Sequence, residues 1–498
     1  MGSPVLVGID IGTTTTKAAV FDESGKQLAS ALVRYAIRRP RPGWAEQDPS
    51  DWWHATEAAL RQISQIVRLV TVRAVGVVSQ VNTHAFIDRH LRPVAPAIVW
   101  QDQRCAAIAC SLNQRFDPNV RQRIWGSPFT IDSSYLVSRA AWLAYNNQAA
   151  WDTTAWVVSP KDYVISRLTG TVATDAPSSI GLVDPTGMHY LPVIDELLPG
   201  TLHRLPPLAR PDATVGRVAP AAAAATGLSA GVPVVVGTMD AWGNLHGSAA
   251  VTPGDAILVA GTSEIAAIVS DRTHPTVGVI TFPPYDGLIV HAGPTQAGGD
   301  ALRWWVETRG TTFDDVLAEA ATAPPGAGGV VFAPHLLGER APLWDPLVRA
   351  SFLGVSSDTT SADLARAVLE GVAFSDRELF EAVERAAGVP VTSVALSGGG
   401  AQSDLWSQIR ADVVGRSLNR LRVRDSAVLG AALLGAVGSG VFPTLADATA
   451  DAVHIDQVFE PDPHRAARYR GLYDAYRGAY QALKPIHATL DQWRATAP

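Results

Sequence analysis

The segment from Val5 to Asp22 constrains the fold of this chain more than any other. An apolar stretch ends at Asp10, a Gly-Thr-rich turn follows over residues 12–16, and a second apolar, alternating stretch begins at Lys17. The pattern predicts a β-hairpin whose tip offers backbone N–H groups, hydroxyls and one lysine, which suit the oxygens of a phosphate chain. It is not a P-loop, because the glycine spacing is absent and a strand follows the turn. An ordinary tight hairpin without a ligand is the alternative interpretation.

The carboxylate of Asp10 stands at the end of the first predicted strand, directly beside the turn. Carboxylate oxygens are ligands that Mg²⁺ prefers, and Mg²⁺ is usually held by one or two carboxylates together with substrate phosphates. The sequence therefore predicts that Asp10 is linked to Mg²⁺ if the turn binds phosphate.

The length and composition predict a folded protein of at least two domains. The chain has 498 residues, which is too long for one core, and 47% of them are hydrophobic and 17% charged, as in a folded globular protein.

The charge and the apolar runs of the chain bear on its partners. A net charge of −7 predicts no nucleic-acid partner, and the longest apolar run, Ala427 to Val441, is too short to span a membrane. The start of the chain shows no charged-then-apolar pattern, so we expect no leader segment, and the sparse cysteines, Cys105 and Cys110, fit a reducing compartment. We therefore expect a cytoplasmic protein.

Strand-like and helical patterns alternate along the chain, which predicts an α/β architecture. Asp48 to Val67 is predicted as a helix capped by its first residue, and Ser361 to Gly388 as a long helix that ends at the glycine. The hairpin pattern recurs over residues 256–269, around the turn Gly261–Ser263. Two such hairpins, about half a chain apart, predict two related domains that face a shared cleft, with a boundary near residues 245–255.

Asp240 follows a buried strand predicted over residues 232–236, and Trp242, Gly243 and Leu245 indicate a helix directly after it. This carboxylate could simply cap the helix. It could also act as a general base that accepts the proton of a substrate hydroxyl while the oxygen attacks a phosphoryl group. An aspartate of ordinary pKa is a weak base, but the loose transition state of phosphoryl transfer requires proton removal only late.

Other polar segments also follow predicted strands. Trp100, Asp102 and Arg104 alternate after Ile98–Val99, and an aromatic face with a carboxylate can hold a polyhydroxylated ligand. A buried ion pair between Asp102 and Arg104 is the alternative, which we favour for Arg104. A triple-glycine turn over residues 398–400 could let a ring or a phosphate approach the backbone, or could be merely flexible.

Gln80, Asn82 and His84 follow the strand predicted over residues 75–78. Each of these side chains could reach a ligand, and each could equally belong to a polar turn whose hydrogen bonds are satisfied internally.

Taken in order, these segments resemble the FGGY family of carbohydrate kinases over nearly the whole chain. Each motif alone is modest, but eight in order are highly specific. The matching segments are Gly8–Thr14, Gly43–Pro49 with Trp52 and Trp53, Trp100–Arg104, Ser159–Tyr163 with Leu168–Gly170, Asp240, Gly261–Ser263, Gly338–Pro342 with Asp345 and Arg349, and Gly398–Ala401.

The resemblance implies an α/β fold of two actin-like (ribonuclease H-like) ATPase domains, residues 1–247 and 248–498, which flank a central cleft and close on MgATP and a sugar. It implies that Asp240 is the catalytic base and that Asp10 lies near Mg²⁺. The nucleotide-binding residues that it implies are Gly12, Thr13, Thr14, Lys17, Gly261, Thr262, Gly299, Gly399, Gly400 and Ser403. The substrate-binding residues that it implies are Asn82, His84, Trp100, Asp102 and Asp240.

The resemblance is closest to xylulokinase-like members but departs from them at one place. Those members usually carry Gln-Met-His-Gly where this chain has Gln80-Val81-Asn82-Thr83, and glycerol kinases carry Arg-Glu where it has Val81-Asn82. The departure argues against glycerol and weakens the case for D-xylulose itself, but the chain as a whole is most similar to xylulokinase-like members. A ketose such as xylulose, or a related polyol, is the expected substrate class. Two alternatives are an ATP-driven conformational protein of the actin type and a non-catalytic sugar-sensing module. Similar kinases are frequently homodimers, so we expect a possible homodimer.

Overall fold

The computed structural model describes residues 5–125, 129–274 and 276–496. The four residues before the first strand, on which the expectation of no leader segment depends, lie outside this description. The strands in the described ranges are β1 (Val5–Ile11), β2 (Thr15–Asp22), β3 (Gln27–Arg34), β4 (Glu46–Gln47), β5 (Val72–Ser79), β6 (Ala85–Ile87), β7 (Ala97–Ile98), β8 (Trp156–Val158), β9 (Thr214–Arg217), β10 (Pro233–Val235), β11 (Thr238–Met239), β12 (Asp255–Ala260), β13 (Glu264–Ser270), β14 (Ile280–Thr281), β15 (Ile289–Pro294), β16 (Val331–Ala333), β17 (Ser351–Leu353), β18 (Ser393–Ser397), β19 (Leu418–Leu421) and β20 (Ile455–Phe459).

Helices alternate with these strands, as the sequence pattern predicts. They are α1 (Pro49–Ser64), α2 (Ala106–Asn113), α3 (Pro118–Trp125), α4 (Leu136–Asn146), α5 (Gln148–Thr153), α6 (Pro160–Thr169), α7 (Val193–Leu197), α8 (Pro220–Thr226), α9 (Asp240–His246), α10 (Gly299–Arg309), α11 (Phe313–Thr322), α12 (Ser361–Ala387), α13 (Asp404–Val414), α14 (Ser426–Gly438), α15 (Leu445–Ala452) and α16 (Pro463–Thr496). None of the helices in the described ranges combines the length and the apolar character that crossing a bilayer requires.

The chain divides into two compact units. The first comprises Met1–Val251 with the later segments Phe282–Gly287 and Asp425–Val453. The second comprises the remaining stretches, which are Thr252–Thr281, Leu288–Arg424 and His454–Pro498. The first break between the units falls within the predicted boundary region. No pattern in the sequence predicted that the two later segments, Phe282–Gly287 and Asp425–Val453, belong to the first unit.

The first unit is built on a seven-stranded sheet with the order β3-β2-β1-β5-β10-β9, in which β11 also pairs with β5. Strands β1 and β2 form the predicted antiparallel hairpin, and β1, β10 and β11 run parallel to β5. Helix α14 packs directly against this sheet. A Cβ atom added at Gly8 or Gly76 would come within 1.9 or 1.7 Å of a backbone oxygen of α14, so only glycine permits this approach. The apolar run near residue 430 is therefore a packed internal helix, as predicted.

The second unit is built on another seven-stranded sheet, with the order β14-β15-β13-β12-β18-β19-β20. Strands β12 and β13 form the second predicted hairpin, and β12, β18 and β19 run parallel. The long helix α12 is buried along most of its length and ends at Gly388, whose φ of 64° allows the left-handed cap. In the first unit, α1 begins at Pro49 after Asp48, whose carboxylate accepts a hydrogen bond from Ser50 N. Both predicted helices are confirmed.

Candidate active site

Asp10 and Asp240 come from the same edge of the first sheet. Strand β5 pairs in parallel with β1 on one side and with β11 on the other, and Val78 is the register partner of both Asp10 and Thr238. Because the carboxyl ends of parallel strands meet at one edge, Asp10 and the start of α9 project from that edge. Asp240 is the first residue of α9, whose N-cap is Met239, and its Oδ1 accepts a hydrogen bond from Ala241 N at 2.8 Å. Asp240 is therefore not the cap of this helix.

Both carboxyl groups have raised pKa values. Burial raises the pKa of Asp240 to about 6, although backbone hydrogen bonds from Ala241 and from Asp240 itself oppose the change. Burial also raises the pKa of Asp10 to about 7, and the charge of Asp240 contributes to this shift while that of Lys17 opposes it. Asp10 Oδ1 is enclosed and has no hydrogen-bond partner among the described residues. A carboxylate oxygen in this state needs a proton or a cation.

The turn between β1 and β2 is held through its carbonyl oxygens. The Tyr35 hydroxyl donates to Gly12 O at 2.6 Å, and Gln47 Nε2 donates to Thr13 O at 2.7 Å. Gln47 Oε1 in turn accepts hydrogen bonds from Trp52 Nε1 at 3.2 Å and from a second glutamine at 3.3 Å. Thr14 is exposed at the tip. The Gly-Trp-x-Glu-Gln-Asp-Pro motif thus supports the turn through Gln47, a residue that the sequence reasoning did not select.

Lys17 pairs with Asp425, a carboxylate that the sequence patterns did not identify. Its ammonium group forms an ion pair with Asp425, and both side chains are partly exposed. Asp425 immediately precedes α14, more than four hundred residues along the chain from Lys17. Lys17 therefore lies beside the turn that it was predicted to serve, and it already has an ionic partner there.

Trp100 is joined to the first turn by its indole. Its Nε1 donates to Thr13 Oγ1 at 3.1 Å, and its backbone N–H donates to Thr83 Oγ1 at 3.1 Å. Thr83 Oγ1 donates to Gln80 Oε1 at 3.1 Å, and Gln80 Nε2 reaches Gly12 O at 3.2 Å. This chain of hydrogen bonds brings a predicted substrate residue and predicted phosphate residues into one network.

Arg139 contacts both Asn82 and His84 from the protein interior, and no pattern in the sequence predicted this role for Arg139. Arg139 is fully buried, donates to Asn82 O and to Val99 O at 2.8 Å, and lies 3.0 Å from His84 Nδ1. Burial, together with the charge of Arg139, holds the pKa of His84 well below its ordinary value, so the imidazole is neutral. Asn82 has a φ of 54° and donates to Ser134 Oγ at 3.2 Å. The buried His84 thus supports this loop.

The predicted alternation of Trp100, Asp102 and Arg104 along a strand is wrong. Strand β7 ends at Ile98, and residues 99–104 are turn and irregular backbone in which the Asp102 carboxylate is buried. It lies fully buried, bonds to Arg104 at 2.7 Å and accepts the Ala45 N–H at 2.5 Å. The ion-pair interpretation is correct for Arg104. A direct contact of Asp102 with a sugar stays a prediction, and the saturation of its carboxylate by these partners does not favour it.

In the second unit, the turn between β12 and β13 meets the start of α10. Gly299 N donates to Gly261 O at 2.9 Å, and Gly298 N and Asp300 N each donate to Thr262 O at 3.0 Å. The structure thus brings together two segments that lie far apart in the sequence, and Gly261, Thr262 and Gly299 within them were predicted to bind nucleotide.

The triple-glycine turn lies next to the Gly261 turn, because β12 and β18 are parallel neighbours with Val259 opposite Ser397. Gly398 has a φ of 88°, and a short 3₁₀ turn over Gly399–Gln402 follows it. Ser403 is the N-cap of α13, and its Oγ accepts a hydrogen bond from Trp406 N at 3.2 Å. Gly399 and Gly400 are therefore placed at the same sheet edge as Gly261, whereas the hydroxyl of Ser403 already has a structural role.

The residues present fit a magnesium ion that is held mainly by other ligands. No group of three or more histidine, cysteine, aspartate or glutamate side chains in the described parts of the chain could hold a metal by itself. Mg²⁺ commonly takes only one or two protein carboxylates and completes its shell with phosphates and water. The unbonded oxygen of Asp10 suits that arrangement.

The chain matches a family of carbohydrate kinases along most of its length. The pattern of the FGGY family of carbohydrate kinases matches with its N-terminal domain over residues 5–247 and with its C-terminal domain over residues 256–439. The xylulose kinase of Escherichia coli K12 is 30% identical over 496 residues, which cover 97% of this chain and all of that protein. The gluconokinase of Bacillus subtilis is 27% identical over 490 residues and covers 94% of both chains.

Solved structures agree with the fold prediction. The crystal structure of a xyloylose kinase from Brucella ovis matches with a TM-score of 0.87 and 27% identity, over 97% of this chain and all of that one. A gluconate kinase from Lactobacillus acidophilus matches with a TM-score of 0.89, and at 24% identity it shows the fold alone. The α/β prediction with two sheet-containing domains of the actin-like ATPase fold is confirmed. Because both family domains match along most of its length, this chain belongs to the FGGY family of carbohydrate kinases.

Proposed function

We propose that this carbohydrate kinase transfers the terminal phosphoryl group of MgATP to a hydroxyl of a small neutral ketose, such as xylulose or a related sugar or polyol. The observation that carries the proposal is the placement of Asp10 and Asp240 at one edge of the first sheet, both with raised pKa values. The relatives named xylulose kinase support the ketose class.

In this proposal Asp240 is the general base. A pKa of about 6 leaves the carboxyl largely ionised at pH 7.5, yet makes it a stronger base than an ordinary aspartate. The carboxylate accepts the proton of the attacking hydroxyl as that oxygen bonds to the terminal phosphorus, while the bond from this phosphorus to the bridging oxygen breaks and ADP leaves. The low dielectric that raises the pKa also strengthens the interaction of the carboxylate with that hydroxyl.

Asp10 would hold Mg²⁺, which when bound neutralises charge on the phosphate oxygens. Backbone groups and hydroxyls of the two glycine-threonine turns would bind the phosphates. These residues are Gly12, Thr13 and Thr14 in the first unit and Gly261 and Thr262 in the second. Lys17 would add a positive charge to the first turn, where its pairing with Asp425 holds it near the strand end.

The sugar would contact Trp100 and Asn82, with Asp240 directed at the reacting hydroxyl. A sugar acid is the second candidate substrate, because one relative is named gluconokinase and because Arg139, although fully buried behind Asn82, forms no ion pair within the described ranges. An unpaired buried cation favours a negatively charged ligand nearby.

The experiment is a coupled ADP-release assay across ketopentoses, ketohexoses, polyols and gluconate. We expect one ketose to raise ADP release at least about a hundredfold over basal hydrolysis, a difference that corresponds to a few kcal/mol in the barrier. If every compound leaves basal hydrolysis unchanged, the proposal is wrong. Sugar binding without turnover would support the sensing module, and sugar-independent hydrolysis would support the conformational ATPase.

We also propose a cytoplasmic, homodimeric protein. Cys105 is buried and Cys110 is exposed, and neither forms a disulfide, which fits a reducing compartment. Light scattering coupled to size exclusion would test the dimer, since a mass near 52.6 kDa at micromolar concentration would contradict it.

A further inference from the structure

A fully buried ionic cluster lies behind the nucleotide-binding turns of the second unit. Arg410, on α13, donates from Nη2 to Glu264 Oε1 at 2.8 Å and from Nε to Asp376 Oδ2 at 3.0 Å. All three side chains have no exposed surface, and the guanidinium also stacks on the Trp406 ring at 4.0 Å. Burial of charge on this scale is costly, so the cluster calls for an explanation beyond packing.

Each end of the cluster is attached to a different turn. Glu264 is the first residue of β13, directly after the Gly261–Ser263 turn, and its backbone N–H donates to Thr295 Oγ1 at 2.9 Å. Arg410 Nη1 donates to Gly400 O at 3.3 Å, which is the triple-glycine turn. The Arg410–Glu264 pair therefore joins two turns that are 139 positions apart, counting from Gly261 to Gly400.

The same pair also lies beneath the start of α10. A Cβ atom added at Gly298 would come within 2.5 Å of Glu264 Oε1, so the side chain of Glu264 fills the space that a larger residue would need. Gly298 N and Gly299 N bond to the carbonyl oxygens of Thr262 and Gly261. Three separate stretches of backbone, all predicted to border the nucleotide, thus contact one ionic pair.

We propose that Arg410, through its bonds to Glu264 and Gly400, is a positioning residue that keeps the phosphate-binding turn and the glycine-rich adenosine turn at the spacing of one nucleotide. The inference depends on the proposed function only in assuming that these turns bind ATP. A ligand that contacts both turns gains affinity only while their spacing matches its length, because the second contact is then intramolecular. Without Arg410 the two turns are no longer held at a fixed spacing, so the added affinity of a ligand that contacts both turns is lost.

The two carboxyl groups of the cluster depend on the charge of Arg410, as expected for a link that is part of the folded structure. Burial raises the pKa of Glu264 to about 8 and that of Asp376 to about 6, and the Arg410 charge opposes both shifts. Glu264 Oε2 and Asp376 Oδ1 have no hydrogen-bond partner among the described residues. Glutamine at position 264 has nearly the shape of glutamate and keeps a side-chain oxygen that can accept from Arg410 Nη2, so Glu264→Gln preserves the link.

The test measures binding of adenosine, ADP and a non-hydrolysable ATP analogue by calorimetry, without any sugar. For Arg410→Met and Glu264→Ala we expect ADP affinity to fall about tenfold or more while adenosine affinity changes less than about threefold. The ratio of ADP affinity to adenosine affinity, called here the ADP-to-adenosine ratio, therefore decreases. Glu264→Gln should keep the wild-type ratio. The double variant Glu264→Ala/Arg410→Met should lose no more than either single variant, because both changes break one link.

A matched control is available in the same unit. Arg366 and Glu370 form a buried ion pair at 2.7 Å that contacts Ala323 O and Tyr469 but none of the three turns. Arg366→Met should lower the melting temperature and leave the ADP-to-adenosine ratio unchanged. If Arg410→Met does not fold, Arg410→Lys replaces it, since a lysine can reach only one of the three acceptors.

Two outcomes would overturn the inference: a wild-type ratio in folded Arg410 variants, or an equal loss of the ratio in Arg366→Met. Failure of the wild-type protein to bind ADP would instead overturn the proposed function, so the two failures are distinguishable.

Discussion

Asp10 and Asp240 extend from strands on opposite sides of β5, and the negative charge of Asp240 helps to raise the pKa of Asp10 to about 7. Each carboxylate alone could be a strand-end or first-turn residue with no further role. Together they form a pair of acids with unequal partners, since Asp240 accepts a backbone N–H, whereas Asp10 Oδ1 has no hydrogen-bond partner within the described ranges. This asymmetry is the basis on which we propose proton acceptance for Asp240 and cation binding for Asp10.

The general-base role predicts a specific kinetic defect in Asp240→Asn. We expect kcat to fall about 10²–10⁴-fold, because an amide cannot accept the hydroxyl proton, while nucleotide affinity stays within about twofold. Calorimetry with ADP and the coupled assay measure the two quantities. Asp152→Asn, on the exposed face of α5, is the control and should keep full activity. Near-normal turnover by Asp240→Asn would exclude the role.

The raised pKa of Asp240 predicts a fall in activity at acid pH. The carboxyl must be ionised to act as a base, so kcat/KM for the sugar should fall about tenfold for each unit of pH below about 6. Saturating Mg²⁺ should be used throughout, to keep the titration of Asp10 out of the profile. A profile that stays flat down to pH 4.5 would show that no group with this pKa acts as the base.

Asp10→Asn should stabilise the folded protein at alkaline pH while abolishing activity. Because the folded-state pKa is raised from 3.8 to about 7, Asp10 lowers the free energy of unfolding progressively as the pH rises from about 4 to 7; the penalty is complete above pH 7 and vanishes below pH 4. Asp10 as a whole residue is only half-buried, although its Oδ1 is enclosed, so we expect a gain of about 1–2 kcal/mol at pH 8, less than the shift alone implies. Urea unfolding at pH 8 and pH 4 measures the difference, and equal effects at both would contradict it. In the wild-type protein, millimolar Mg²⁺ with ADP should remove the penalty.

Gln47→Ala should weaken the first turn without touching a ligand. The substitution removes the donor to Thr13 O and the acceptor of Trp52 Nε1, which are enclosed, so we expect a loss of about 1–3 kcal/mol in unfolding free energy. Displacement of the turn should also raise KM for ATP several-fold more than KM for the sugar. Gln62→Ala, on the exposed face of α1, is the matched control. Unchanged stability and unchanged KM would refute a supporting role.

Local patterns in the chain were sufficient for several features of the fold and site. Alternation and turn composition determined both hairpins, a capping aspartate determined the start of α1, and a terminal glycine determined the end of α12. These predictions succeeded because neighbouring residues along the chain set periodicity, caps and turns.

The tertiary structure alone decided which polar groups share an environment. Lys17 meets Asp425, and Glu264 meets Arg410, across separations of 408 and 146 residues. The inward turn of Asp102, against the predicted alternation, likewise depends on Ala45 N and Arg104. Hydrophobic periodicity carries no information on such pairs, because a buried charge takes its partner from whichever distant segment the sheet order brings beside it. The sequence by itself therefore determined the two hairpins, the start of α1, the end of α12 and the family, and only the packing of distant segments decided which charges are neutralised and which remain available for chemistry.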